Sequence, residues 1–181
     1  MAGNHEKVMR VDYDRMKLKG IFDISEHRRE VAAEQGYYAY SSKEELLFDP
    51  DIDVVIIAAH KQLVIDALNA GKNVLCEKPV TMTSADLEEL IELAKHSKGV
   101  FTVDQNRRTN KDFIAMRRGV ESGKIGKPYV IESRVEGSRG MPGGWRTEKA
   151  LGGGMMLDWG VHLIDQLMYM VDEKVVSVYC K

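Results

Sequence analysis

Asp158, His162 and Asp165 stand at spacings i, i+4 and i+7, so on a helix they share one stripe. A carboxylate one turn from an imidazole orients the ring and supports its charged form, an arrangement suited to acid/base chemistry near neutral pH. The same pattern also fits a purely structural histidine. It further fits half of a metal site, but two or three ligands on one helix need help from elsewhere, and no metal is expected. Gly152-Gly153-Gly154 precede this stretch. They either let the backbone approach a ligand closely and leave N–H groups open at a helix start, or form a flexible loop.

A second group is Cys76-Glu77-Lys78-Pro79, at the carboxyl end of a predicted strand, the edge at which open α/β sheets bind ligands. Pro79 restricts the residue before it and holds Lys78 extended. A lysine held there can donate to a substrate oxygen, or lose its proton if desolvated; the alternative is an exposed loop lysine. Asp23 closes another predicted strand. An acid at that place accepts from the adenosine ribose hydroxyls in dinucleotide-binding folds, or else simply forms a turn. The fingerprint G-x-G-x-x-G that belongs about 20 residues earlier occurs nowhere in the sequence.

The elements that position these residues alternate. Strands are predicted at Leu18–Phe22, Tyr37–Tyr40, Val54–Ala58, Asn73–Cys76 and Val100–Val103. Val54–Ala58 reads as a strand buried on both faces. Helices are predicted from a Ser25 cap to Gln35, after a Ser42 capping box, from Lys61 to Asn69, and after a Thr83 or Ser84 cap. This rhythm with short loops argues for a parallel α/β sheet covered by helices. The rhythm changes after about residue 105. A helix is expected near Asp112–Ser122, an alternating strand at Tyr129–Val135, and a glycine-rich loop over Gly137–Gly154. A largely buried helix at Met155–Val171 and a strand at Val175–Cys180 complete the pattern.

Composition narrows the function classes. The 181 residues are 44% hydrophobic and 30% charged, with 26 Lys and Arg against 28 Asp and Glu. This is an ordinary globular composition. A net charge of −2 argues against a nucleic-acid partner. The longest apolar run, Val54 to Ala59, falls far short of the ~20 residues of a membrane span. No signal-peptide pattern opens the chain. The two cysteines, Cys76 and Cys180, have no ligand-like spacing, so a reducing, cytoplasmic setting is expected.

Four segments give the chain a resemblance to the Gfo/Idh/MocA oxidoreductases. They are Ala70-Gly71-Lys72-Asn73-Val74-Leu75-Cys76-Glu77-Lys78-Pro79, then Gln105-Asn106-Arg107-Arg108, then Gly143-Gly144-Trp145-Arg146, and finally the stretch from Gly152 to Asp165. The resemblance implies a Rossmann-like parallel sheet over residues 1–105, followed by the start of an α+β substrate and oligomerisation domain over 106–181. It implies hydride transfer between NAD, or NADP, and a sugar, cyclitol or similar carbinol, in a parent enzyme that is a homo-oligomer. Lys78, Asp158 and His162 take catalytic positions. Asp23, Ala58, Glu77 and Lys78 fall on the cofactor side. Arg107, Trp145 and Arg146, with Asp158 and His162, fall on the substrate side, although pairing and packing explain Arg107, Trp145 and Arg146 equally well.

Three departures from the family pattern qualify these expectations. The first strand and most of the glycine-rich loop are missing, and Met1-Ala2-Gly3-Asn4-His5 resembles the segment just after that loop. The cofactor wall after Ala58 is shortened at Ala59-His60-Lys61. The chain stops at Lys181 after the first part of the second domain. A fragment without activity of its own, or a non-catalytic binding or regulatory protein on the same fold, is therefore the alternative expectation; such regulatory relatives usually lose the lysine or the histidine, which this chain keeps.

Overall fold

The computed structural model describes residues 16–58, 61–138, 140 and 143–180. The chain divides into two compact units, residues 1–104 and 105–181. The expectations placed on Met1–His5 and on Ala59-His60 lie outside the described residues.

In the first unit, strand β1 (Gly20–Ile21) is followed by α1 (Glu26–Glu34) and β2 (Tyr38–Ala39). Then come α2 (Lys43–Phe48), β3 (Val54–Ile57), α3 (Lys61–Asn69), β4 (Asn73–Cys76), α4 (Ser84–His96) and β5 (Phe101–Val103). β1 pairs in parallel with β2, and β3-β4-β5 form a second parallel sheet in that order. These are the two flanks of the doubly wound order 3-2-1-4-5-6, with position 1 filled by no described residue. The α/β class is as the alternating sequence predicts.

Local chemistry explains the helix boundaries. Ser42 Oγ accepts from Glu45 N at 3.0 Å and Thr83 Oγ1 accepts from Asp86 N at 3.2 Å, each satisfying an N–H that the first turn leaves open. Gly36 at φ 86° and Gly71 at φ 75° end α1 and α3 in a conformation that favours glycine. Val64, Ala67 and Leu68 recur at helical spacing on α3 and pack with Leu47, Ile57, Val74, Cys76 and Leu90 as the core.

β3 departs from the expectation of burial on both faces. Val54 and Ala58 are exposed and only Ile57 is buried. The reason is position: β4 is the middle strand, and β3 lies at the flank of its sheet. Gly99 lies against the residues leading into β4, so closely that a Cβ there would sit 2.0 Å from the Lys72 carbonyl oxygen.

The second unit holds a 3-10 turn (Asn106–Thr109), α5 (Lys111–Glu121), and 3-10 turns at Gly144–Thr147 and Lys149–Leu151. A π turn (Met156–Gly160) then runs directly into α6 (Val161–Met170). The strands expected at Tyr129–Val135 and Val175–Cys180 do not form. Their alternating residues carry the propensity, but a strand exists only through a hydrogen-bonded neighbour, and neither segment has one among the described residues. The helix expected to be largely buried instead exposes Met156, Ile164, Leu167 and Met168, while Tyr169, also partly exposed, packs against Phe113 and lies under Arg108 and Arg117.

Candidate active site

Burial of charge is costly unless it is paired and hydrogen-bonded. Among the described residues, the buried polar or charged residues are Glu77 (6% exposed), Lys78 (8%), Asp158 (4%) and His162 (4%). All four belong to the two motifs singled out from the sequence.

In the first unit, Glu77 and Lys78 follow β4 directly. The Glu77 N–H donates to the Ile57 carbonyl at 2.8 Å, and the Asp104 N–H donates to the Cys76 carbonyl at 2.9 Å. The loop thus stays fastened to both neighbouring strands at their carboxyl ends, with a cis Lys78–Pro79 peptide. The exposed-loop alternative for Lys78 is overturned, because the fastened backbone turns its side chain inward. Cys76 is a core residue; burial, then the charge of Glu77, pushes its thiol up to about 11, so it remains protonated.

Asp23 follows β1. Its Oδ1 accepts from Ser25 N at 2.9 Å and its Oδ2 from Arg28 at 3.2 Å, while Arg29 donates to its carbonyl at 2.6 Å. The turn-forming alternative is therefore realised, and Asp23 rather than the Ser25 side chain serves the start of α1. An ionised carboxylate has about four acceptor sites, so these two side-chain contacts leave capacity for ribose hydroxyls. Nearby residues Phe22, Ile24, Arg29, Ser41, Ser42 and Lys43 line an open cleft of about 520 Å³. Ala58 follows β3 and is exposed at the same carboxyl edge.

In the second unit, Asp158 lies in the π turn and His162 in the first turn of α6. Single π turns occur frequently at functional sites. Asp158 Oδ2 accepts from Arg146 Nε at 2.6 Å, and Arg146 stacks over the Trp145 ring at 4.8 Å. His162 Nδ1 lies 3.3 Å from Gln105 Oε1, and the Trp159 ring meets the imidazole at 6.1 Å. Arg107 lies over Trp159 at 4.8 Å, with its buried Nε lacking a hydrogen-bond partner.

Asp165 separates from the other two. Its carboxylate takes both Arg108 Nε and Nη2, at 2.8 and 2.6 Å, and so ties α6 to the 3-10 turn. Sequence reasoning did not assign Gln105 or Trp159 to the site. Gln105 follows the last strand of the sheet, the edge already known to matter, and that was the available signal. No cluster of three or more His, Cys, Asp or Glu is placed to hold a metal ion among the described residues.

Parallel strands alternating with helices, with an acid after the first described strand, match the Rossmann-like dinucleotide-binding class of fold. Two family models match: an oxidoreductase family with an NAD-binding Rossmann fold over residues 1–105, and the GFO/IDH/MocA C-terminal domain over residues 113–181. The chain belongs to the Gfo/Idh/MocA oxidoreductase family.

An uncharacterized oxidoreductase of Schizosaccharomyces pombe is 41% identical over 132 residues, 70% of this chain and 36% of that protein. The myo-inositol 2-dehydrogenase of Thermotoga maritima is 33% identical over 168 residues, 90% of this chain and 49% of that protein. A crystal structure of an NAD-binding protein from Listeria innocua superposes with a TM-score of 0.88 at 46% identity, covering 95% of this chain and 52% of that one. The chain thus spans between about a third and a half of the length of the curated relatives it matches. No helix among the described residues is long and apolar enough to cross a membrane.

Proposed function

We propose that this chain carries cofactor-binding and catalytic residues of an NAD-dependent dehydrogenase acting on a cyclitol, sugar or similar carbinol. The observation that carries the proposal is the burial of Lys78, Asp158 and His162, ionisable groups in the motifs that place the chain in its family. The names of the relatives, inositol 2-dehydrogenase among them, support the substrate class. In this reading residues 1–105 serve the cofactor and residues 106–181 begin the substrate domain of a homo-oligomer.

A nicotinamide cofactor held on the side of Asp23, Ala58 and Glu77 would supply the hydride acceptor for the carbinol carbon. His162 takes the hydroxyl proton, because an imidazole changes charge near working pH. Asp158 supports the imidazolium that results. Lys78 donates a hydrogen bond to the reacting oxygen and stabilises the negative charge that develops there. Gln105, at His162 Nδ1, helps to orient the ring. Arg107 and Trp145 belong to the substrate wall in this reading, and Glu77 and Ala58 to the cofactor wall.

Asp23 gives the cofactor preference. A carboxylate after β1 accepts from a free 2′-hydroxyl and repels a 2′-phosphate, so NAD is preferred. Arg28 is held by Asp23, and Asp23→Ser releases it. That variant should lose NAD affinity and gain relative affinity for NADP. The test is a fluorescence titration with NADH and NADPH, followed by polyol-dependent reduction of NAD with inositol and related carbinols. Binding of neither nucleotide, with no turnover on any of them, would overturn the proposal.

A further inference from the structure

The segment Gly144–Gly154 is bolted to Asp158 by its own backbone. The Gly153 N–H donates to the Glu148 carbonyl at 2.9 Å and the Gly154 N–H to the Arg146 carbonyl at 2.8 Å. The Asp158 N–H then donates to the Gly154 carbonyl at 3.2 Å. Arg146 Nε to Asp158 Oδ2, at 2.6 Å, closes the circuit. Gly153 is required by this geometry: a Cβ there would lie 2.7 Å from both the Arg146 and Glu148 carbonyl oxygens, closer than real Cβ atoms come. The guanidinium also lies over the Trp145 ring, 4.8 Å from its centroid.

The result is an arginine whose side chain holds the Asp158 carboxylate and whose main chain is linked through Gly154 to the Asp158 backbone. The Arg146 side chain is a quarter exposed, and that of Asp158 is 5% exposed. A guanidinium beside a buried carboxylate favours its charged form, and the charge-assisted hydrogen bond restricts its rotamer. We infer that Arg146 is a positioning residue, which keeps Asp158 ionised and in one orientation, and that it does not contact substrate. This inference rests on the proposed dehydrogenase reading only for its catalytic consequence. The elements around Asp158 also carry His162 and Asp165 further along its own helix, Arg107 and Arg108 in the 3-10 turn, and Glu148 and Lys149 in the bolted segment; Asp165 is taken by Arg108 and Arg107 stacks on Trp159.

The test is carbon NMR titration of the Asp158 carboxyl in the 181-residue chain, with the resonance assigned through Asp158→Asn. In Arg146→Met the carboxyl should titrate higher by about one pH unit or more, while Arg146→Lys, which keeps a cation, should restore much of the difference. Gly153→Ala changes no ionisable group and should raise the same pKa by displacing the segment, so it decides the matter if Arg146→Met fails to fold. Where polyol-dependent turnover is measurable, Arg146→Met should lower kcat about tenfold or more with KM nearly unchanged, and should add little to Asp158→Asn. An Asp158 that titrates alike in all forms would overturn the inference. So would a raised KM with unchanged kcat, which would return Arg146 to the substrate wall. The titration is independent of turnover: an inactive chain with the expected shift removes the dehydrogenase reading and leaves the pairing intact.

Discussion

A lysine and a histidine kept out of water must gain from their surroundings what they lose in hydration. If that gain is catalytic, removing either side chain affects chemistry more than cofactor binding. Lys78→Ala and His162→Ala should each leave NADH affinity nearly unchanged and lower kcat by about 10²–10⁴-fold, the ordinary worth of a general acid or base. Asp158→Asn keeps the shape but removes the negative charge that favours an imidazolium. The acid limb of the kcat/KM profile should therefore move to lower pH. A pH profile of the parent and the three variants reads all of this. Wild-type kcat and an unmoved acid limb in His162→Ala would pass the role of base to Lys78.

At the scale of elements, a polar staple ties the first sheet to α2. Lys19, just before β1, reaches Asp49 and Asp51 at 2.8 Å each. The hydroxyl of Tyr40, just after β2, donates to Asp49 at 2.6 Å. Lys19, then Tyr40, hold the Asp49 carboxyl down at about 2. Because that value lies below the ~3.9 of an unfolded chain, the staple contributes fully above pH ~4 and is lost as pH falls toward 2. Burial, then Asp49, raise the Tyr40 hydroxyl to about 12. Its contribution is complete below pH ~10 and fades as pH rises toward 12. Tyr40→Phe should flatten the alkaline fall in melting temperature and soften the acid fall. Thermal unfolding across pH 2–12 measures both limbs, and an unchanged alkaline limb would count against the staple.

At the scale of the whole molecule, the two segments whose sequences alternate like strands have no ladder partners among the described residues. Val176 is 94% exposed and Tyr179 88%, with Val175 and Val178 also exposed beside them. Tyr129 and Val130 are exposed in the other segment. Extended apolar residues with open backbone groups pair readily with another chain. The 181-residue chain should therefore self-associate at micromolar concentration. Sedimentation velocity is the measurement, and a monomer that unfolds in a single cooperative step would contradict this expectation.

Short-range physics was legible in the sequence. The Ser42 and Thr83 caps, the glycine stops at Gly36 and Gly71, the β-branched run of β3 and the span of β4 all depend on neighbours within a few residues, and they form where the pattern places them. The motif around Lys78 and the Asp158–His162 spacing were legible for the same reason. What lies between distant residues was decided only by the tertiary structure. Tyr129–Val135 has a strand's alternation, but pairing is a property of two segments, and the second is not supplied by the pattern. Burial of Lys78 depends on Ile57 and Asp104 fastening the strand edges on either side. The ties of Arg146 to Asp158, Gln105 to His162 and Arg108 to Asp165 each join residues a dozen or more positions apart. They are set by folded geometry, because charge and hydrogen bonding act across space while periodicity acts along the chain.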